Sequence, residues 1–244
     1  MSEARTILIT GANGGLGIAI AREFLEHDPS DRVWLGVRSN REAADALAET
    51  YGGRVSVVTL DVADAGAWDR AVDSILEADG RIDVLVNNAG SHRDSLLATM
   101  DDDTWADVIE SNLTGVFYGC RKVARTMLVQ RSGRVINISS LSALMPPVGQ
   151  ANYAAAKAGV LTLTKTFDKE VARAGVTVNA ICPGFIDTEA LADMADDARR
   201  AAMRSVPMRR FGQPGEVAVA VRFLACPEAA YITGSVLNID GGIS

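Results

Sequence analysis

Tyr153 and Lys157 lie four residues apart in the run Asn152-Tyr153-Ala154-Ala155-Ala156-Lys157. The alanines favour helix, and four residues is about one helical turn, so the phenol and the ammonium share a face. A nearby cation stabilises a phenolate and draws a tyrosine below its usual pKa of about 10. Such a tyrosine can give a proton to a ketone oxygen or take one from an alcohol near neutral pH. The same spacing also occurs as an ordinary surface pair on many helices. The decision therefore rests on what else the chain carries.

The first apolar run leads directly into Thr10-Gly11-Ala12-Asn13-Gly14-Gly15-Leu16-Gly17. Glycines let a backbone turn tightly and approach a pyrophosphate, and a helix opening there offers free N–H groups. Gly11, Asn13, Gly15, Leu16 and Gly17 are the expected contacts. The second apolar run ends Leu35-Gly36-Val37-Arg38-Ser39. Val37 stands where a carboxylate would accept from ribose hydroxyls, while Arg38 has the planar fork suited to a 2′-phosphate. NADP(H) is therefore expected over NAD(H), with a solvated arginine as the alternative. Asp61-Val62 closes the third run, and Asn87-Asn88-Ala89-Gly90 the fourth. Both sit where side chains and close backbone could hold adenine and ribose. Asn87-Asn88 is equally suited to local turn chemistry.

Elements that would position these groups alternate along the chain. Strand-like runs fall at 6–10, 33–37, 55–60, 84–87, 135–138, 176–181 and 236–239. Amphipathic segments at 17–26, 41–50, 67–78, 104–129, 151–174 and 215–225 separate them. Continuous apolar strands suit a parallel sheet covered on both faces, and the alternation predicts a doubly wound α/β fold. The polar stretch 188–213 breaks the rhythm at the ligand-binding side of such a sheet. A mobile substrate lid and a plain surface helix are both compatible with it.

Composition narrows the class. The 244 residues are 48% hydrophobic and 23% charged, with a formal charge of −7. That fits a globular α/β protein and disfavours general nucleic-acid binding. No run reaches the roughly 18 apolar residues needed to cross a bilayer, and the N-terminus lacks a signal-peptide layout. Cytoplasmic residence is the expectation. Three scattered cysteines and two histidines predict buried free thiols and no metal site.

Taken together, these motifs resemble the short-chain dehydrogenase/reductase family over essentially the whole length. The matching elements are Thr10-Gly-x-x-x-Gly-x-Gly17, Asp61, Asn87-Asn-Ala-Gly90, Asn112, Ser140, Tyr153-x-x-x-Lys157 and Pro183-Gly184. Within that family the chain looks most like the β-ketoacyl-acyl-carrier-protein reductases, through Asn112-Leu-Thr-Gly-Val-Phe117, residues 149–159, Pro183-Gly-Phe-Ile186 and residues 227–234. The resemblance implies one Rossmann-type domain over 1–244, with a mostly parallel seven-stranded sheet in the order 3-2-1-4-5-6-7. It implies NADPH-dependent reduction of a carrier-bound 3-oxoacyl group to the 3-hydroxyacyl thioester. Tyr153 would be the general acid. Lys157 would tune Tyr153 and hold the nicotinamide ribose. Ser140 would polarise the carbonyl, and Asn112 would hold a water linking Lys157 to solvent. Pro183, Gly184, Ile186 and Thr188 would meet the nicotinamide end. Spacing alone does not choose among Ser139, Ser140 and Ser142; only the family pattern selects Ser140.

Two departures stand out. Gly14 occupies a position where NADP-preferring relatives often carry a basic residue. Ala174 stands where carrier-protein reductases commonly place an arginine, with Arg173 next door pointing about 100° away on a helix. Arg125, Arg131 and Arg173 are the candidate docking residues for an acidic carrier, with a solvated helix end as the alternative. The resemblance also implies a homotetramer, since relatives pair protomers through the long segments at 104–129 and 151–174; simple coverage of the sheet is the alternative. Another ketone or alcohol substrate, or a non-catalytic nucleotide-binding scaffold, are the competing functions.

Overall fold

All five residues of β1 (Thr6–Thr10) are buried, and their side chains divide between two cores. Ile7 and Ile9 pack on one face with Ile20, Phe24, Val217 and Val221. Leu8 turns to the other, with Trp68, Ile75, Val123, Val160 and Phe167. Alternation of side chains across a strand makes a continuous apolar run necessary wherever both faces are covered. The computed structural model describes residues 4–192 and 194–244. It adds β2 (Arg32–Val37), β3 (Val55–Thr59), β4 (Val84–Asn87), β5 (Gly133–Ile138), β6 (Val176–Pro183) and β7 (Val236–Ile239). The order is β3-β2-β1-β4-β5-β6-β7. Every pairing is parallel, so the expected "mostly parallel" sheet is wholly parallel among the described residues.

Helices α1 (Gly15–His27), α2 (Glu42–Tyr51) and α8 (Pro214–Ala225) contribute to the first core; α3 (Ala65–Asp79), α5 (Gly115–Gln130) and α6 (Ala151–Val171) contribute to the second. Capping sets several boundaries. The Asp64 carboxylate accepts from Gly66 N at 2.8 Å, and α3 ends at left-handed Gly80. Asp101 likewise caps α4 (Asp102–Ile109), accepting from Thr104 N at 2.6 Å. α8 starts with a Gln213/Glu216 capping box and a proline in its first turn. α1 differs: its N-cap is Gly14, with no side-chain cap and no acidic residue in the first turn. Its end is thus left for some other anion.

Two boundaries depart from the sequence reading. The single helix expected over 104–129 is interrupted by a π-helical segment, Glu110–Thr114, between α4 and α5. Asn112 sits in it, fully buried; a π-bulge admits one extra residue and re-aims the side chains around it. β3 ends at Thr59, so Asp61 belongs to the following turn, where its carboxylate accepts from Ala63 N at 3.0 Å. The stretch 188–213 holds a helix of its own, α7 (Asp196–Ser205).

Candidate active site

The carboxyl ends of the strands carry the site. The loop after β1 and the loop after β4 are stitched together by side chains. Thr10 Oγ1 accepts from Asn88 N and Ala89 N, each at 3.0 Å. Asn88 Nδ2 donates to the carbonyls of Thr10 and Gly11 at 2.9 and 3.2 Å. Gly11 adopts φ +64°, and a Cβ there would fall 2.7 Å from Ala89 Cα. A Cβ at Gly17 would fall 2.5 Å from Gly11 O. These two glycines are steric requirements of the turn that presents α1.

One cavity of about 1370 Å³ joins these loops to the tyrosine. Its lining includes Gly11, Asn13, Gly15, Leu16, Gly17, Arg38, Asp61, Val62, Asn88, Ala89 and Gly90. It continues past Ser140, Tyr153, Lys157, Pro183, Gly184, Ile186 and Thr188. Asn112 lies just behind this wall, where a side chain at Gly90 would collide with its Oδ1. That oxygen is buried and has no hydrogen-bond partner among the described residues. Its amide nitrogen donates to Ser91 O at 2.6 Å and Val108 O at 2.9 Å. The cavity suits an extended dinucleotide: an uncapped helix N-terminus for phosphates, an arginine fork at the β2 end, and a lysine at the far end.

Three serines converge near β5, and their partners separate them. Ser139 Oγ donates to Lys157 O at 2.8 Å and so faces α6. Ser142 Oγ bonds Gln150 Oε1 at 2.9 Å. Ser140 Oγ accepts from Ser142 N at 3.1 Å, and its hydroxyl is near enough to the Tyr153 phenol to draw that group's pKa downward. The three hydroxyls therefore differ in their partners.

The electrostatics correct one expectation. Tyr153 is pushed above its ordinary value, because burial of the phenolate outweighs the Ser140 hydrogen bond, and the Asp94 charge adds to the rise. Lys157 is itself almost wholly buried and is lowered to about 8 by desolvation. Its Nζ donates to Ile138 O at 2.9 Å and stands 5.6 Å from the tyrosine ring centroid. The shared helix face is as expected; the phenol is raised and not depressed.

Sequence reading missed the segment after Gly90. His92, Arg93 and Asp94 line the same cavity, as do Gln150 and Glu189. The only signal was adjacency to the Asn87–Gly90 motif. Glu189 is the anion that meets α1: Gly15 N donates to its carboxylate at 3.3 Å. The segment carrying Glu189 is closed at its base, where Asp187 N donates to Gly212 O at 2.8 Å and Gly212 N to Phe185 O at 2.9 Å. Arg199 of α7 bonds Asp187 at 2.7 Å.

Arg125, Arg131 and Arg173 are exposed but lie elsewhere. Arg131 caps α5 just before β5 begins, and Arg173 precedes β6. A Cβ at Gly175 would lie 3.0 Å from Arg131 O, so these two turns are neighbours. They sit at the amino ends of the strands, opposite Tyr153. Among the described residues no group of three or more His, Cys, Asp or Glu is arranged to hold a metal. No helix there is long and apolar enough to cross a membrane.

Comparison with known proteins agrees with this geometry. Residues 11–244 match the family model described as enoyl-(acyl carrier protein) reductase. A 3-oxoacyl-[acyl-carrier-protein] reductase of Vibrio harveyi is 44% identical over 241 residues, 99% of this chain and 98% of the relative. Its counterpart in Synechocystis is 45% identical over 245 aligned positions, 98% of this chain and 97% of the relative. That of Chlamydia muridarum is 40% identical over 241 residues, with the same coverage. The chain belongs to the short-chain dehydrogenase/reductase family of nicotinamide-dependent oxidoreductases.

Proposed function

We propose that this protein is an NADPH-dependent reductase of 3-oxoacyl groups carried on an acyl-carrier protein. The observation that carries the reading is the pair of hydroxyls, Ser140 and Tyr153, meeting in one cavity beside Lys157. A carbonyl oxygen held between two hydroxyl donors is stabilised as negative charge grows on it. The nicotinamide, when bound, supplies the hydride. Tyr153 gives its proton to the substrate oxygen, so the product is an alcohol and the phenol must be re-protonated. The Lys157 ammonium and a water held near Asn112 would resupply that proton, and the unpartnered Asn112 Oδ1 supports such a water. Lys157 would also bond the nicotinamide ribose, with Ile186 and Thr188 meeting the carboxamide. Arg38 faces the cavity where a 2′-phosphate would lie, which supports NADPH over NADH.

The segment 188–213 acts as the substrate lid, hinged where Phe185 and Asp187 pair with Gly212. Two separate exposed apolar sets support a homotetramer: Trp105, Phe117 and Leu128 along α4 and α5, and Val219, Phe223 and Leu237 on α8 and β7. An acidic carrier would dock at the exposed Arg125, Arg131 and Arg173 by charge complementarity. The compartment is read as cytoplasmic.

The decisive assay follows oxidation of NADPH and NADH with acetoacetyl-carrier thioester, the matching crotonyl thioester and free ketones. Preferential turnover of the 3-oxo thioester with NADPH is expected. Turnover of the crotonyl thioester alone would instead favour reduction of a carbon–carbon double bond, the reaction named by the matching family model. Light scattering is expected to give four protomers.

A further inference from the structure

We infer that His92 is a substrate-positioning residue that donates a hydrogen bond to the thioester carbonyl while the 3-oxo group sits at Ser140 and Tyr153. The role rests on the 3-oxoacyl reading above. The loop holding His92 is fixed on both sides. Ser91 O accepts from Asn112 Nδ2 at 2.6 Å, and Arg93 O accepts from Asn152 Nδ2 at 3.1 Å. The neighbouring side chains are all engaged. Ser91 Oγ meets Ser111 Oγ at 3.0 Å, Arg93 pairs with Asp107 at 2.6 Å, and Asp94 accepts from Gln150 Nε2 at 3.0 Å.

His92 alone in this row makes no hydrogen bond or ion pair among the described residues. Its ring stands edge-on to the catalytic phenol, with centroids 6.2 Å apart and planes at 70°. It lines the reaction cavity and is exposed to it. A rigid backbone therefore holds an uncommitted imidazole beside the proton donor. Imidazole presents at least one N–H in either protonation state. In a 3-oxoacyl thioester one methylene separates the two carbonyls. With the 3-oxo oxygen at Tyr153, the second oxygen lies within a few ångströms on the side of the chain leading out of the cavity. A donor there distinguishes a 3-oxo thioester from a simple ketone, which has no second oxygen to offer.

The test compares two substrates on the full-length protein. One is S-acetoacetyl-pantetheine. The other is its thioether analogue, in which the thioester carbonyl is replaced by methylene and the ketone is retained. In His92→Ala the ratio of kcat/KM for the thioester to that for the thioether ketone is expected to fall about fivefold to tenfold, the loss of one hydrogen bond. His92→Gln keeps an N–H donor and is expected to recover most of that ratio. NADPH affinity by fluorescence titration should be unchanged in both variants. Equal losses on the two substrates, or no loss on the thioester, would overturn the role while leaving the 3-oxoacyl reading intact. A wild-type protein that reduces the thioether ketone but not the thioester would overturn the reading and this role together.

Discussion

Lys157 Nζ stands 5.6 Å from the centroid of the Tyr153 ring and gives its hydrogen bond to the Ile138 carbonyl, not to the phenol. The lysine is 3% exposed and has no acidic partner among the described residues, so its charge is held at a cost in stability. Folding lowers its pKa from 10.5 to about 8. Between those values the unfolded chain binds more protons, so its contribution makes stability rise with pH across that window. Below pH 8 the penalty is present in full. Lys157→Met should therefore raise the melting temperature of the cofactor-free protein at pH 7, and the gap to wild type should close by about pH 10. Calorimetry across that range checks the sign; a Met variant less stable at pH 7 would contradict it.

Tyr153→Phe removes the proposed proton donor and leaves the ring packing. Ketone reduction should fall by about 10²–10⁴-fold, the usual worth of a positioned acid. NADPH affinity should be nearly unchanged. Single-turnover absorbance at saturating cofactor separates the two effects, and residual activity near wild type would remove Tyr153 from the chemistry.

The carboxylate of Glu189 lies on the α1 N-terminus, at the position a pyrophosphate needs. Glu189→Gln should tighten NADPH binding up to about fivefold. Titration at low and high salt is the measurement, with the gain shrinking as ionic strength rises. Weaker binding in the variant would mean that Glu189 aids the cofactor.

Gly119 of α5 faces Asn87 and Trp68; a Cβ there would lie 2.5 Å from Asn87 Oδ1 and 2.7 Å from the Trp68 ring. Trp68 is fully buried and Asn87 donates to Asn137 Oδ1 at 2.8 Å, so neither can retreat freely. Gly119→Ala is expected to cost about 1–3 kcal/mol by overpacking, read from denaturant unfolding with an unchanged m-value.

Cys120 is sealed in the core, and burial pushes its thiol up to about 12. Cys182 is buried and shifted upward as well. Cys226 is the partly exposed thiol. A thiol-reactive probe at pH 8 should label one cysteine rapidly, with the others released only on unfolding. Cys226→Ser should abolish the fast phase.

Much of this could be read along the chain, because the information is local. Strand runs announced a two-faced sheet, since every position of β1 and β6 is buried and most are apolar. Gly11 and Gly17 were legible because the tight turn excludes a Cβ. Tyr153 and Lys157 were legible because helical spacing alone puts them on one face. The π-helical segment at Glu110–Thr114 was not, since no composition rule marks one extra residue in a long helix.

Sequence by itself determined the alternation of elements, the glycine turn at α1 and the tyrosine–lysine pair, all set by bonds and contacts within a few residues. Tertiary structure decided the rest. It turned Ser140 rather than Ser139 or Ser142 toward the phenol, seated Asn112 behind Gly90 and brought His92 to the ring edge. It also reversed the expected direction of the tyrosine shift, because desolvation depends on what surrounds a group in space, and residue spacing carries no record of that.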